Sequence, residues 1–388
     1  MILDELRAQG IQIRLRDDDK NLGLFPDVNV TPNVIAIAQK KKDEIISLLK
    51  QERSEARKNA TLCPQVGSLL TKKLKVEKPG CGCKRYAHKM DGWGVAGCTE
   101  KFDEIAEHLT NQAREYYAIA KLAPPLARWR ARKHLRDAIN ACRMSVVWVY
   151  VNRQAPRVSG LRYSMRSAIA NLGDVKNCVL CGDDPGWFSG KRIAVERFEK
   201  HHARNEFGSV RYAKWIDSAI KLQAIIDCPD VTENFLWFYD DSFVTGKTSI
   251  IELSRPCASG QLHTGDPLAS VRHKWREVRR RTHVALDSRG LTTHDFSTHM
   301  PVVFNKTKLQ QTMSEFDVRH NARCIESLYM NQHFGTPAEV ENFQLQKRTR
   351  QGWSIRPGTK ILNLGYFNEP AASVIKPMFP ITAEHELH

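Results

Sequence analysis

Three short runs in the second half of the chain constrain its fold more than any other feature: SVVWVYV over 145–151, NCVLCG over 177–182 and FLWFY over 235–239. Each is a near-continuous string of β-branched, aliphatic and aromatic residues without polar alternation, the pattern of a strand buried on both faces. Between the first two lies LRYSMRSAIANL, whose Leu161, Met165, Ala168, Ile169 and Leu172 fall on one side of a helix, and a second helical segment from Ala213 to about Cys228 precedes the third. Strand, helix, strand, helix, strand predicts an α/β domain, from about residue 143 to the end, with a mixed, Rossmann-like sheet flanked by helices. The strand ends lead into Asn152 and Arg153, Asp183 and Asp184, and Asp240 and Asp241. In open α/β sheets ligands bind beyond the carboxyl ends of the strands, which is where these polar residues fall.

The acidic pair poses a physical problem. Two adjacent carboxylates at the end of a buried strand repel one another by several kcal/mol in a low-dielectric setting unless a positive group lies nearby. A hard divalent ion, Mg²⁺ or Mn²⁺, takes carboxylate oxygen while keeping positions for water and phosphate, so the pair suits a site that holds a diphosphate. An Asp-Asp turn with no ligand is the competing reading.

The segments LRYSMRSAIANLGDVKNCVLCGDDPGWF, KWIDSAIKLQAIIDCPDVTENFLWFYDDSFVTG and THDFSTHMPVVFNKTKLQQTM resemble three consecutive blocks of the Stealth-type sugar-phosphate transferases and related glycosyltransferases of the GT-A fold, over about half the chain. The resemblance implies a nucleotide-sugar donor, a UDP- or GDP-sugar, and Mn²⁺ or Mg²⁺ held by Asp240, Asp241 and the later His299. It also implies that Arg162 sits by the donor or acceptor. Asn152, Arg153, Asp183 and Asp184 are expected on the donor side from their places at strand ends, a plain loop being the alternative for Asp183 and Asp184. Asp217, in KWIDSAI, takes the place of a polar segment rich in Asn in that family and is expected among the catalytic residues with Asp240, Asp241 and Arg162, although the departure leaves the acceptor open.

Upstream, residues 1–50 read as a compact α+β unit: a short helix, a strand IQIRL, a second short strand near Leu22 and Leu24, and a helix N-capped by Thr31 with Pro32 at its first position. The pattern resembles the N-terminal docking domain of the tubulysin-synthetase type, which implies a protein partner; packing on the main domain is the alternative. A polar linker is expected over 51–72, then a small cysteine-bearing helical module over 73–142. Its Cys81, Cys83 and Cys98, with Cys63 upstream, could hold structural Zn²⁺, although Cys-x-Cys is tight for one ion and buried thiols among glycine turns explain the pattern as well.

Net charge is +16, from 59 Lys and Arg against 43 Asp and Glu, and it calls for a polyanionic partner. The densest cationic run is RHKWREVRRR, with Arg272, Lys274, Arg276, Arg279, Arg280 and Arg281 on an expected helix; a second is LARWRARKHLR around Trp129. Either run could be a solvated face or a phosphate contact. No apolar run approaches the ~20 residues of a membrane span, and ten cysteines lack the regular spacing of a disulfide framework, so a cytoplasmic protein is expected.

These readings converge on a metal-dependent glycosyltransferase, with a hydroxylated base in phage-type DNA as the expected acceptor. Two alternatives remain open: sugar or sugar-phosphate transfer to a polysaccharide, and a non-catalytic nucleic-acid-binding scaffold.

Overall fold

The structure is a computed structural model that describes residues 12–15, 22–25, 31–49, 65–74, 83–151, 160–198, 213–253, 256–262, 274–298, 300–335, 345–347, 355, 358–363, 369–381 and 386. Near the N-terminus, β1 (Gln12–Leu15) and β2 (Leu22–Phe25) form an antiparallel hairpin. Helix α1 (Pro32–Lys40) follows, and Thr31 caps it by accepting a hydrogen bond from the Val34 amide. Further helix over 42–49 buries Ile45 and Leu49. The first expected helix, around Leu3 and Leu6, lies outside the described residues.

A helical module comes next: α2 (Val66–Leu74), α3 (Cys83–Glu100), α4 (Phe102–Tyr116), α5 (Ala118–Leu122) and α6 (Pro124–Cys142). Its core joins Val66, Leu70, Met90, Cys98, Ile105, Leu135 and Ile139. Helix α2 falls largely within the stretch expected as linker, so the module starts near residue 65. Val66, Leu69 and Leu70 carry it, and Gly67 lets the two helices touch, because a Cβ there would stand 1.9 Å from the Ala87 carbonyl oxygen. Inside α3 the backbone kinks at Gly94, at φ 64° and ψ −168°. That is a conformation open chiefly to glycine.

The α/β domain is built on five strands: β3 (Met144–Tyr150), β4 (Val175–Gly182), β5 (Lys191–Ile193), β6 (Asn234–Phe238) and β8 (Val302–Asn305). Their spatial order is β5-β4-β3-β6-β8, with the first four parallel and β8 antiparallel to β6. Helix α7 (Gly160–Asn171) links β3 to β4, and α8 (Ala213–Asp227) precedes β6. A smaller sheet pairs β7 (Ser242–Val244) and β9 (Leu345–Lys347) on either side of β10 (Ile361–Asn363). Beyond the strands lie α9 (Ile250–Leu253), α10 (Lys274–Asp287), α11 (Lys306–Glu315), α12 (Ile325–His333) and α13 (Glu369–Met378).

The unbroken apolar runs have a direct explanation. Val147, Val179, Cys181, Phe235, Trp237 and Phe304 belong to one core, with residues of α8, α11 and α12. Their neighbours Val146, Trp148, Cys178, Leu180, Leu236, Phe238 and Val303 belong to the other, with Leu161, Met165 and Ala168 of α7. Alternate side chains thus enter opposite cores, and nearly every position is apolar because neither face of the sheet meets water.

Candidate functional site

Strand order dictates where a ligand can enter. The chain runs outward from β3 through β4 to β5, then returns to the other side of β3 with β6, so the topological switch point lies between β3 and β6. At such a point the loops leave in opposite directions and open a crevice at the carboxyl ends of the strands. Tyr150 ends β3 there, Gly182 ends β4 and Asp183 follows it, and Tyr239 to Asp241 follow β6.

Three of these groups share one environment. The half-buried Tyr150 phenol is held above its ordinary pKa first by burial, then by the charges of Asp240 and Asp183. The two carboxylates, from loops after different strands, therefore act on the same point. Gly182 permits the approach: its φ is +118°, and a Cβ would lie 2.3 Å from the Tyr150 carbonyl oxygen. The Asp183 amide donates to that oxygen at 3.2 Å.

The acidic pair forms a tight turn in which the Ser242 amide donates to the Tyr239 carbonyl at 3.2 Å. Asp240 is exposed, whereas Asp241 is half-buried. Asn363 of β10 donates to Asp241 Oδ1 at 3.0 Å and to Ser242 Oγ at 2.9 Å, fixing the second carboxylate from the far end of the chain. Behind the turn, the Ser164 hydroxyl donates to the Tyr239 carbonyl at 3.1 Å, and the Tyr239 hydroxyl donates to Glu326. Burial and that carboxylate hold the Tyr239 phenol well above its ordinary pKa. The first residue of β8, Val302, pairs with Trp237, so this strand begins beside the turn.

Other residues singled out from the sequence are placed differently. Asp217 is buried and both its oxygens are committed: Oδ2 to the fully buried Lys221 ammonium at 2.5 Å, Oδ1 to the Phe198 amide at 2.9 Å. It braces α8 against the segment before it and is not available to a substrate, a correction to the catalytic role expected of it. Arg162 is partly accessible, stacks 4.7 Å from the Trp187 ring centroid and lies 3.2 Å from Glu386. Asp184 accepts from the Gly186 amide at 2.8 Å and sits 3.7 Å from Arg192, as a loop carboxylate does. Asn152, Arg153 and His299 lie outside the described residues. His299 is flanked by the buried Thr298 and Met300.

The cationic run on α10 is largely turned to its own carboxylates. Arg280 and Arg281 both pair with Glu277, at 3.0 and 2.9 Å, and hold it down to a pKa of about 2. Arg279 reaches the buried Asp295 at 2.7 Å. This corrects the expectation for Arg279, Arg280 and Arg281, since the helix carries Glu277 at i−3 and i−4 and packs beside an internal acid. Arg276 is exposed; the Lys274 side chain and Arg272 lie outside the described residues.

In the helical module, Cys98 is fully buried, donates to the Met90 carbonyl at 3.3 Å and is pushed up to about 12 by burial first and Asp91 second. That environment keeps a thiol neutral and packs it as a small hydrophobe. Cys63, Cys81 and the Cys83 side chain lie outside the described residues.

Among the described residues no cluster of three His, Cys, Asp or Glu side chains is arranged to hold a metal. Mg²⁺ is commonly held by one or two carboxylates, with water and substrate phosphate completing its shell. Asp183, Asp240 and Asp241 provide hard oxygen donors of that kind. No protein-family model matches the chain, and no curated protein matches it. No described helix is long and apolar enough to cross a membrane.

Proposed function

We propose that the chain is a metal-dependent glycosyltransferase of GT-A-like fold, which binds a nucleotide sugar at the switch point between β3 and β6. One observation supports this reading above the rest: Asp183 and Asp240, leaving different parallel strands, act together on Tyr150 at the crevice where an open α/β sheet takes its ligand. A divalent ion bound there would balance the carboxylates and neutralise a departing nucleoside diphosphate. Asp240 and Asp241 would hold it, Asn363 orients Asp241, and Tyr150 offers a protonated hydroxyl to the donor. Arg162, stacked on Trp187, lines the approach. The +16 charge supports a polyanionic acceptor, and DNA bearing a hydroxylated base is the reading carried forward.

The test is binding of UDP and GDP by calorimetry with and without Mn²⁺. Metal-dependent binding, weakened at least tenfold by Asp240→Ala or Asp241→Ala in a folded protein, is expected. Binding that ignores both metal and substitutions would remove the transferase reading. Mass spectrometry of a hydroxymethylated oligonucleotide incubated with sugar donors then tests the acceptor.

A further inference from the structure

We infer that the solvent face of α6 is a nucleic-acid contact, with Arg130, Lys133 and Arg136 holding successive phosphates and Trp129 stacking on an unpaired base. The inference rests on the polyanionic-acceptor part of the proposed function but not on its sugar chemistry.

Helical geometry divides α6 into two unlike sides. Ala127, Ala131, Leu135, Ala138 and Cys142 form the buried stripe, of which Leu135, Ala138 and Cys142 join the module's core. On the opposite side, at spacings of three and four, stand Leu126, Trp129, Lys133 and Arg136, with Arg130 beside them. Trp129 is 57% exposed and Leu126 43%. Trp129 is thus more than half in water, with the exposed Leu126 one turn before it and cations on its other sides.

Arg132 turns sideways to Asp103, and Asp137, the only acid on the helix, is taken by Lys73 at 3.0 Å. Among the described residues, Arg128, Arg130, Lys133 and Arg136 form no salt bridge, in contrast to Arg279, Arg280 and Arg281 of α10, although Lys133 lies within the field of Asp137 and Arg136 stands 5.9 Å from the Phe102 ring centroid. The field is felt by His134, pressed below its ordinary pKa by burial and by Lys73, with Lys133 and Arg130 adding to it against Asp137. Lys133 lies 5.3 Å from the Trp129 ring centroid, so cation and aromatic surface are already adjacent.

This pairing favours a nucleic acid over other polyanions. Phosphates alone need only charge, but an exposed indole flanked by cations matches a strand that offers phosphate and base faces alternately. From Trp129 to Arg136 the helix rises about 10 Å, so the face spans neighbouring phosphates of one strand. A single-stranded or locally opened segment is thus the occupant that uses both parts of the face.

The experiment is fluorescence anisotropy with labelled 30-nucleotide single-stranded and duplex DNA, full-length chain, no nucleotide sugar, across a salt series. Arg130→Ala/Lys133→Ala/Arg136→Ala is expected to weaken both complexes at least tenfold and to reduce the slope of log affinity against log salt by about 2–3. Trp129→Ala is expected to weaken the single-stranded complex more than the duplex one. Circular dichroism and melting temperature should be unchanged in both variants, since the buried stripe is untouched. DNA affinity and salt slope unaltered by the triple substitution would overturn the inference, as would wild-type protein that binds phosphatidylserine vesicles but not DNA. Neither of those results would alter the Mn²⁺-dependent nucleotide binding that tests the donor site.

Discussion

At the scale of single residues, the site depends on groups that have no freedom to relax. Gly182 is one: at φ +118° it lets Asp183 leave β4 beside Tyr150, and any side chain would be driven into the Tyr150 carbonyl. Gly182→Ala is expected to cost roughly 2 kcal/mol or more in urea denaturation and to weaken nucleotide binding, because the backbone must shift where the carboxylates converge. Lys221 is another. Its ammonium has no exposure and its partner Asp217 very little, so Lys221→Met strands an acid in the core and should destabilise by about 3 kcal/mol. Adding Asp217→Asn should recover most of that loss while keeping the Phe198 contact. A double variant no more stable than Lys221→Met would show that the pair matters for something other than its charge balance. Asp217 and Lys221 stand four apart in KWIDSAIKL, on one side of a helix, so their pairing was legible, yet nothing local reveals that Lys221 is sealed beneath Gly182.

At the scale of elements, the buried strands and the helices between them were readable because each signal is local. An unbroken apolar run of five to eight residues suits only a strand covered on both faces, and β3, β4 and β6 fall within two residues of the expected ranges. Helix α2 was missed since its polar setting, with Lys72 and Lys73 at its end, hides a narrow stripe of Val66, Leu69 and Leu70. For α10 the sequence showed charge density but not its direction. Glu277, three and four residues before two arginines, draws both inward along the helix. Its pKa is lowered from 4.5 to about 2, so its contribution is complete above 4.5 and disappears as pH falls toward 2. Glu277→Gln should abolish that acid-limb dependence at a cost of roughly 0.5–1 kcal/mol at neutral pH, checked by denaturant melts at pH 7 and 3.

At the scale of the whole molecule, the far C-terminal region completes what the middle of the chain begins. Asn363 fixes Asp241. Glu386 is almost wholly buried, accepts two hydrogen bonds from Arg166 at 2.6 and 2.8 Å, and lies 3.2 Å from Arg162, the arginine stacked on Trp187. Glu386→Gln keeps the shape and removes the charge between two guanidinium groups. It should lower stability by about 2–4 kcal/mol and alter nucleotide affinity through Arg162. Unchanged unfolding and unchanged binding would mean that this contact is not made in solution.

The sequence by itself determined the α/β class, the three central strands with their helices, and the acidic pair at a strand end, because periodicity and apolar runs act over a few residues and leave few alternatives. Only the tertiary structure decided which charges were already spent, on α8, α10 and the C-terminal segment, and which, among the described residues, form no salt bridge, as is the case for several on α6. It alone brought Tyr150, Asp183, Asp240 and Asn363 to one edge. The physical reason is that a carboxylate's partner is chosen by distance in space, and residues more than a hundred positions apart become neighbours only once the sheet has closed on both its cores.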